Sequence, residues 1–270
     1  MRNELFMLPE LQQKTYLNEG AEEFLKSLKP GTIPKQPNED LFFENLYKDT
    51  EYWLNDHDFL RYYKYIDLSE EYISKLKVDT KFMAFLSIDI VSSTYLSQEL
   101  NLKEISKLIS VFSRGVGEVI YNYNGYVLKY MGDGILAYFP EPDVRGMHDN
   151  ALYCAYAVKK YIIKYLTPLL KKYKLPPIQF RIGLNSGEVM RVVVGYKKLK
   201  QHLDLIGEPI NVATKIQSIG YNNSILLGES TTKDMHSFWN TKVKKINIGI
   251  RDMRKMTKDK YNVYKLYIKI

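Results

Sequence analysis

The chain has a single cysteine, Cys154, in 270 residues. One cysteine excludes an internal disulfide, and a reducing compartment is the natural reading. No stretch reaches the ~18 consecutive apolar residues of a membrane span. The N-terminus, MRNELFMLPELQQK, places acids and glutamines where a signal peptide needs an apolar run. A soluble, cytoplasmic protein with no membrane span is therefore expected. The four histidines are scattered and, with one cysteine, offer no zinc-ligand spacing. Internal repeats, RNA-binding signatures and helix-turn-helix patterns are absent from the sequence.

What is present is an ordinary globular composition, 45% hydrophobic and 26% charged, with a net charge of +8. The charge is graded along the chain. Residues 1–80 hold 10 basic and 16 acidic side chains, net −6. Residues 81–195 are net +5 and residues 196–270 net +9. An acidic leader and a basic tail follow. The tail reads either as a solvated face or as a surface that meets an anion. With no nucleic-acid motif beside it, the excess does not make a nucleic-acid binder.

The leader, 1–80, reads as helical: LPELQQKTYLNEGAEEFLKSL and the aromatic-rich LFFENLYKDTEYWLNDHDFLRYYKYI flank KPGTIPKQPNED, a proline-rich loop. Asp67-Leu68-Ser69-Glu70-Glu71 resembles a helix start. At residue 82 the texture changes, so domains at 1–80 and 81–270 are expected. FMAFLSIDIV is an apolar run with one acid inside, the pattern of a buried strand. A helical stretch opens at Ser92-Ser93-Thr94. GYVLKYMGDGILAYFP reads as a hairpin around Met131-Gly132-Asp133-Gly134, and PIQFRIGLNSGEVMRVVVG as a second, turning near Asn185-Ser186-Gly187. EPINVATKIQSIG reads as a helix with Gly220 past its end, and SILLG, KVKKINI and YNVYKLYIKI as closing strands. The order implies an α+β fold with helices on one face of a largely antiparallel sheet.

Two acids sit at strand ends. Asp89 closes the first strand, where a carboxylate is costly unless paired or on a metal; it is also placed to cap the following helix. Asp133 lies at a hairpin tip between two glycines, where it also makes a good turn. On adjacent strands the pair could share divalent ions, and oxygen ligands suit Mg²⁺ or Mn²⁺. The backbone amides of Ser92, Ser93 and Thr94, at a helix start, suit a phosphate. Together these point to metal-assisted chemistry on a phosphate ester.

From about residue 82 to 270 the chain resembles a class III nucleotide cyclase catalytic domain. FLSIDIVSSTYL, LKYMGDGILAYF, RIGLNSGEV with VVVG, LDLIGEPINVATKIQ and SILLGES stand in that family's order. The resemblance implies a ferredoxin-like α+β core and two divalent ions, Mg²⁺ or Mn²⁺, held by Asp89, Asp133 and the carbonyl of Ile90. It implies that Lys129 and Asp204 read the base, that Asn211 orients the ribose, and that sites form across a head-to-tail homodimer. Lys129 and Asp133 would then serve opposite sites. Lys215 stands where the family has a transition-state arginine, keeping the charge but losing the bidentate fork. Ser92 replaces a frequent glycine. Lys255, Lys258 and Lys260 are candidates for a further phosphate-binding lysine or for a solvated loop. No GGDEF-like run is present, so a diguanylate cyclase is not expected.

Lysine donates a hydrogen bond and carboxylate accepts one. Adenine and cytosine both offer a ring-nitrogen acceptor beside an exocyclic amine, whereas guanine and uracil present a carbonyl and a ring N–H. The pair therefore favours ATP or CTP as the nucleoside triphosphate. The size and the leader resemble the pyrimidine cyclases of bacterial anti-phage Pycsar systems, whose product activates a separate effector. CTP is narrowly favoured over ATP. A degenerate cyclase that only binds nucleotide is the rival expectation, resting on Lys215.

Overall fold

FMAFLSIDIV contains too many consecutive apolar residues for a strand with one wet face, and its environment accounts for this. Strand β1, Lys81–Ile90, is buried on both sides. Met83 and Phe85 pack with Ile73 and Ala213, while Phe82 meets the ring of His148 edge-on at 6.2 Å. Successive side chains alternate across a sheet, so helices cover both faces. The expectation of helices on one face is corrected accordingly. A computed structural model of the chain describes residues 38–55, 65–140, 144–195, 202–247 and 261–270.

The first helices are α1, Glu39–Asn55, and α2, Tyr65–Lys75. After β1 come α3, Ser93–Glu99, and α4, Leu102–Asn122. The single helical stretch expected here is broken because Asn101 makes a reciprocal capping box with Glu104. Strands β2, Tyr126–Met131, and β3, Gly134–Phe139, form the expected hairpin. Its two-residue loop starts at Gly132, with φ +67, a conformation glycine adopts without steric cost. Helix α5, Val144–Lys160, runs through a π-helical turn, Tyr161–Leu166, into α6, Thr167–Lys172. Then follow β4, Phe180–Val194; β5, His202–Ile206; α7, Glu208–Ser218; β6, Ser224–Gly228; and α8, Glu229–Asp234. A short 3-10 turn leads to β7, Val243–Ile246, and β8, Val263–Leu266, ends the series.

The strands are ordered β2-β3-β1-β4-β6-β8-β7, with β5 paired to β4 outside that path. Among the described pairings only β4–β6 is parallel. The α+β, antiparallel-dominated architecture is as expected.

The second expected hairpin turn is not there. Asn185, Ser186 and Gly187 lie inside the 15-residue strand β4, opposite Phe85, Ala84 and Met83. Their turn-forming composition is overridden by partners remote in sequence. Asn185 Oδ1 accepts hydrogen bonds from Ser230 Oγ and Tyr261 OH, each at 2.6 Å, and the Ser186 amide donates to Ser230 Oγ at 3.2 Å. The buried Asn185 side-chain oxygen is thereby satisfied within the strand. The hairpin partner of β4 is instead β5.

The compact unit containing the sheet spans 38–270, so α1 and α2 belong to it. Thr50 Oγ1 lies 2.9 Å from Tyr161 OH, and Lys160 donates to Glu39 at 2.9 Å with both side chains buried. The acids at 67–71 fall inside α2 and do not start it; Ser69 is buried against Tyr138 OH at 3.3 Å. The expected helix over 8–28 and the following loop as far as residue 37 lie outside the described residues, while Glu39 and Asp40, read as the end of that loop, open α1. Cys154 is fully buried in α5, and burial pushes its thiol far above the ordinary range.

Candidate active site

Asp89 is the last but one residue of β1, and Asp133 occupies the β2–β3 turn, so the sheet order places the two carboxyl groups side by side. They are close enough for the charge of Asp133 to act on Asp89. Burial raises the Asp89 pKa from its ordinary value, and the charge of Asp133 raises it further. Arg181 opposes this shift. It sits directly across the β1–β4 ladder and donates from Nη2 to Asp89 Oδ2 at 3.0 Å. Gln217 Nε2 donates to the same oxygen at 3.3 Å. Asp133 Oδ2 is buried and accepts no hydrogen bond among the described residues.

A buried carboxylate oxygen without a donor, beside a second carboxylate, fits a cation. The donor set is oxygen only, which suits a hard divalent ion. Among the described residues no cluster of three or more His, Cys, Asp or Glu side chains exists. Ile90, the final and buried residue of β1, adds its carbonyl to the same strand end.

Lys129 and Asp204 meet elsewhere in the same chain, Nζ to Oδ2, at 2.5 Å. A β-bulge makes this possible. Val127 pairs with Ala137 but Lys129 pairs with Leu136, so Leu128 is the extra residue. The shift puts Lys129 on the same face as Leu136, which clusters with Ile73 and Leu205. In unbroken register Lys129 would stand opposite Ile135 and face away. Asp204 Oδ1 accepts from the Leu205 amide at 2.9 Å, so both its oxygens are engaged.

Asn211 and Lys215 lie one turn apart on the exposed side of α7, while Val212, Ala213 and Ile216 on its other side are buried. Gln217, also buried, is the α7 residue that reaches Asp89. The helix approaches β4 closely at Gly183, where a Cβ would lie 2.3 Å from the carbonyl oxygen of Ala213. Ser92 takes a left-handed conformation, φ 58, just before α3, and its side chain caps nothing. Ser93 and Thr94 form the first turn of that seven-residue helix. Lys255, Lys258 and Lys260 lie outside the described residues.

The structure thus joins Asp89 with Asp133 and Lys129 with Asp204. Among the described residues no hydrogen bond or ion pair is found that links the two pairs or brings Asn211 and Lys215 to either. Sequence reasoning missed three participants. Arg181 had a detectable signal, a cation at the strand register opposite the acid. Gln217 and His202, whose Nε2 lies 4.0 Å from Asp204 Oδ2, had none that stood out from their surroundings.

Residues 77–267 match the family model for the adenylate and guanylate cyclase catalytic domain. The chain is 29% identical over 161 residues to an adenylate cyclase of Anabaena cylindrica, covering 58% of this chain and 31% of that protein. It is 24% identical over 168 residues to a cytidylate cyclase of Escherichia coli, covering 59% and 36%. The match therefore spans about a third of the length of these relatives. The fold is similar to the crystal structure of the adenylyl cyclase CyaB from P. aeruginosa, with a TM-score of 0.60 at 18% identity over 72% of this chain and 98% of that one. A paired-aspartate strand end, a lysine–aspartate pair carried by β2 and β5, and a family match over most of the chain agree: this chain belongs to the class III adenylate and guanylate cyclase family.

Proposed function

We propose that the protein converts a nucleoside triphosphate, CTP before ATP, to its 3′,5′-cyclic monophosphate and pyrophosphate. The observation that carries this reading is the unpartnered, buried Oδ2 of Asp133 beside Asp89. Asp89, Asp133 and the Ile90 carbonyl would hold two divalent ions, Mg²⁺ or Mn²⁺. When bound, these ions supply neutralisation of the triphosphate and a lowered pKa at the ribose 3′-hydroxyl. The ribose 3′-oxygen attacks the α-phosphorus in line, its proton leaves to solvent, and pyrophosphate departs. The protein positions and neutralises, and no nucleophilic side chain is required.

Lys129 donates to the ring nitrogen of the base, and Asp204 accepts from its exocyclic amine. Asn211 orients the ribose. Lys215 supplies positive charge to the transition state, and the Ser92–Thr94 segment faces the phosphates. The relatives include both an adenylate and a cytidylate cyclase, in keeping with a lysine–aspartate pair that suits either base.

The working unit is a head-to-tail homodimer, in which one copy gives Asp89 and Asp133 and the other gives Lys129, Asp204, Asn211 and Lys215. Two features support this. Asn211 and Lys215 face outward from α7, on the side away from the sheet. Among the described pairings strand β4 beyond Val189 pairs only with β5, and this arm exposes Met190, Val193, Val194 and Ile206. An exposed apolar set on a projecting ribbon fits a second copy. A role as the signal-generating enzyme of an anti-phage system with a separate effector belongs to the same reading and rests on the resemblance in the sequence alone.

Incubation with each of the four nucleoside triphosphates and Mn²⁺, followed by product identification, tests the reading. Cyclic CMP, with cyclic AMP second, is expected. Cyclic GMP or cyclic UMP as the main product overturns the base assignment. Nucleotide binding without any cyclic product overturns the enzyme and favours the binding module.

A further inference from the structure

We infer that Glu70, on the helix ahead of the catalytic sheet, is a positioning residue for nucleotide selection, acting through His202 on Asp204. The inference rests on the proposed role of Lys129 and Asp204 in reading the base.

Strands β2 and β5 are not neighbours in the sheet, yet each supplies one member of the base-reading pair. Helix α2 lies across both. Its Ile73 clusters with Leu128 of β2 and Leu205 of β5. Its Tyr72 stacks on Tyr126 at 4.8 Å, and the carbonyl of Ser74 accepts from Arg191 Nη1 at 2.9 Å on the strand facing β5. The same helix then reaches the pair with a charge. Glu70 Oε1 lies 3.2 Å from His202 Nδ1. His202 and Asp204 are two residues apart on β5 and share a face, which puts the other imidazole nitrogen near the base-reading carboxylate.

In the free protein Lys129 offsets the charge of Asp204, which is only 10% exposed. When Lys129 turns to the base, that carboxylate loses part of its compensation, and an uncompensated buried charge is costly. An imidazolium at His202 would carry an N–H on each nitrogen and serve Glu70 and Asp204 together. Glu70 fixes the ring so that the second N–H faces Asp204 at the moment Lys129 is withdrawn. Because Glu70 and His202 are both well exposed, their ion pair adds little to stability. Its effect falls on substrate selection.

The test uses full-length Glu70→Gln, His202→Gln, the double variant and Asp204→Ala, with steady-state kinetics on CTP and ATP in Mn²⁺. Glu70→Gln is expected to raise KM for the preferred nucleotide about three- to tenfold, with a smaller change in kcat, and to narrow the preference between the two. His202→Gln should do the same, and the double variant should be no worse than His202→Gln alone. Asp204→Ala should flatten the preference. Wild-type KM and preference in Glu70→Gln and His202→Gln, or additive effects in the double variant, overturn the inference while leaving the base pair standing. An unchanged preference in Asp204→Ala overturns the base-pair reading and this inference with it. Should Glu70→Gln not fold, His202→Gln, at the exposed start of β5, carries the same comparison.

Discussion

Arg181 Nη2 lies 3.0 Å from Asp89 Oδ2, directly across the β1–β4 ladder, and no ion pair to Asp133 is found among the described residues. One carboxylate of the pair is answered by the protein and the other is left with a buried, donor-free oxygen. The arrangement stores repulsion that a cation relieves.

Asp133→Asn should therefore separate stability from activity. Cyclase turnover is expected to fall about a hundredfold or more. The thermal midpoint in chelator is expected to hold or rise, because the like charge that raises the Asp89 pKa is gone. Mn²⁺ should raise the wild-type midpoint and leave that of Asp133→Asn nearly unmoved. Thermal shift measurements with and without Mn²⁺ read both arms.

Lys215→Arg should raise kcat several-fold, since a guanidinium adds a second parallel hydrogen bond to a phosphate that an ammonium meets as a point charge. Lys215→Ala should lose most of the turnover. A fall in kcat for Lys215→Arg would mean that the site is shaped for lysine.

Asp89→Asn and Asn211→Ala should each be inactive, and mixing equal amounts should restore roughly a quarter of wild-type activity. Half of the randomly formed dimers would then hold one intact composite site out of two. No recovery on mixing, with dimers confirmed by sedimentation, would place each whole site within one chain.

Glu118 provides a pH test away from the active site. Burial raises its pKa, the nearby Asp49 adds to that, and a hydrogen bond from Tyr65 opposes it. A carboxyl whose folded pKa is raised binds its proton more tightly in the folded state. Its ionisation therefore removes stability as pH rises from the ordinary glutamate range through the raised value. The wild-type thermal midpoint should carry a downward component across that window, and Glu118→Gln should flatten it.

The features legible in the sequence are those whose cause is local. Asp89 and Asp133 stand at the ends of elements defined by their own neighbours, and the 208–218 helix carries its own stop at Gly220. Other features depend on distant partners. The Asn185-Ser186-Gly187 segment looks like a turn until Ser230 and Tyr261 supply its hydrogen bonds from across the fold. The bulge at Leu128 is invisible in YVLKYM, because a register shift is a property of two strands. Helices lie on both sheet faces because each of the two alternating sets of β1 is covered by residues remote in sequence. Glu70 and His202 are 132 positions apart, and nothing in either segment points to the other.

The burial of Cys154 has a practical side. The chain has no second cysteine, and this one is out of reach of solvent with its thiol held protonated. Alkylating reagents attack thiolates at accessible sites, so they should pass the native fold by. A cysteine placed at Val194 on the projecting ribbon would then be the one reactive group in each molecule. A spin or fluorescent probe there could report the distance between the ribbons of two associated copies, with the wild-type protein as its own silent background.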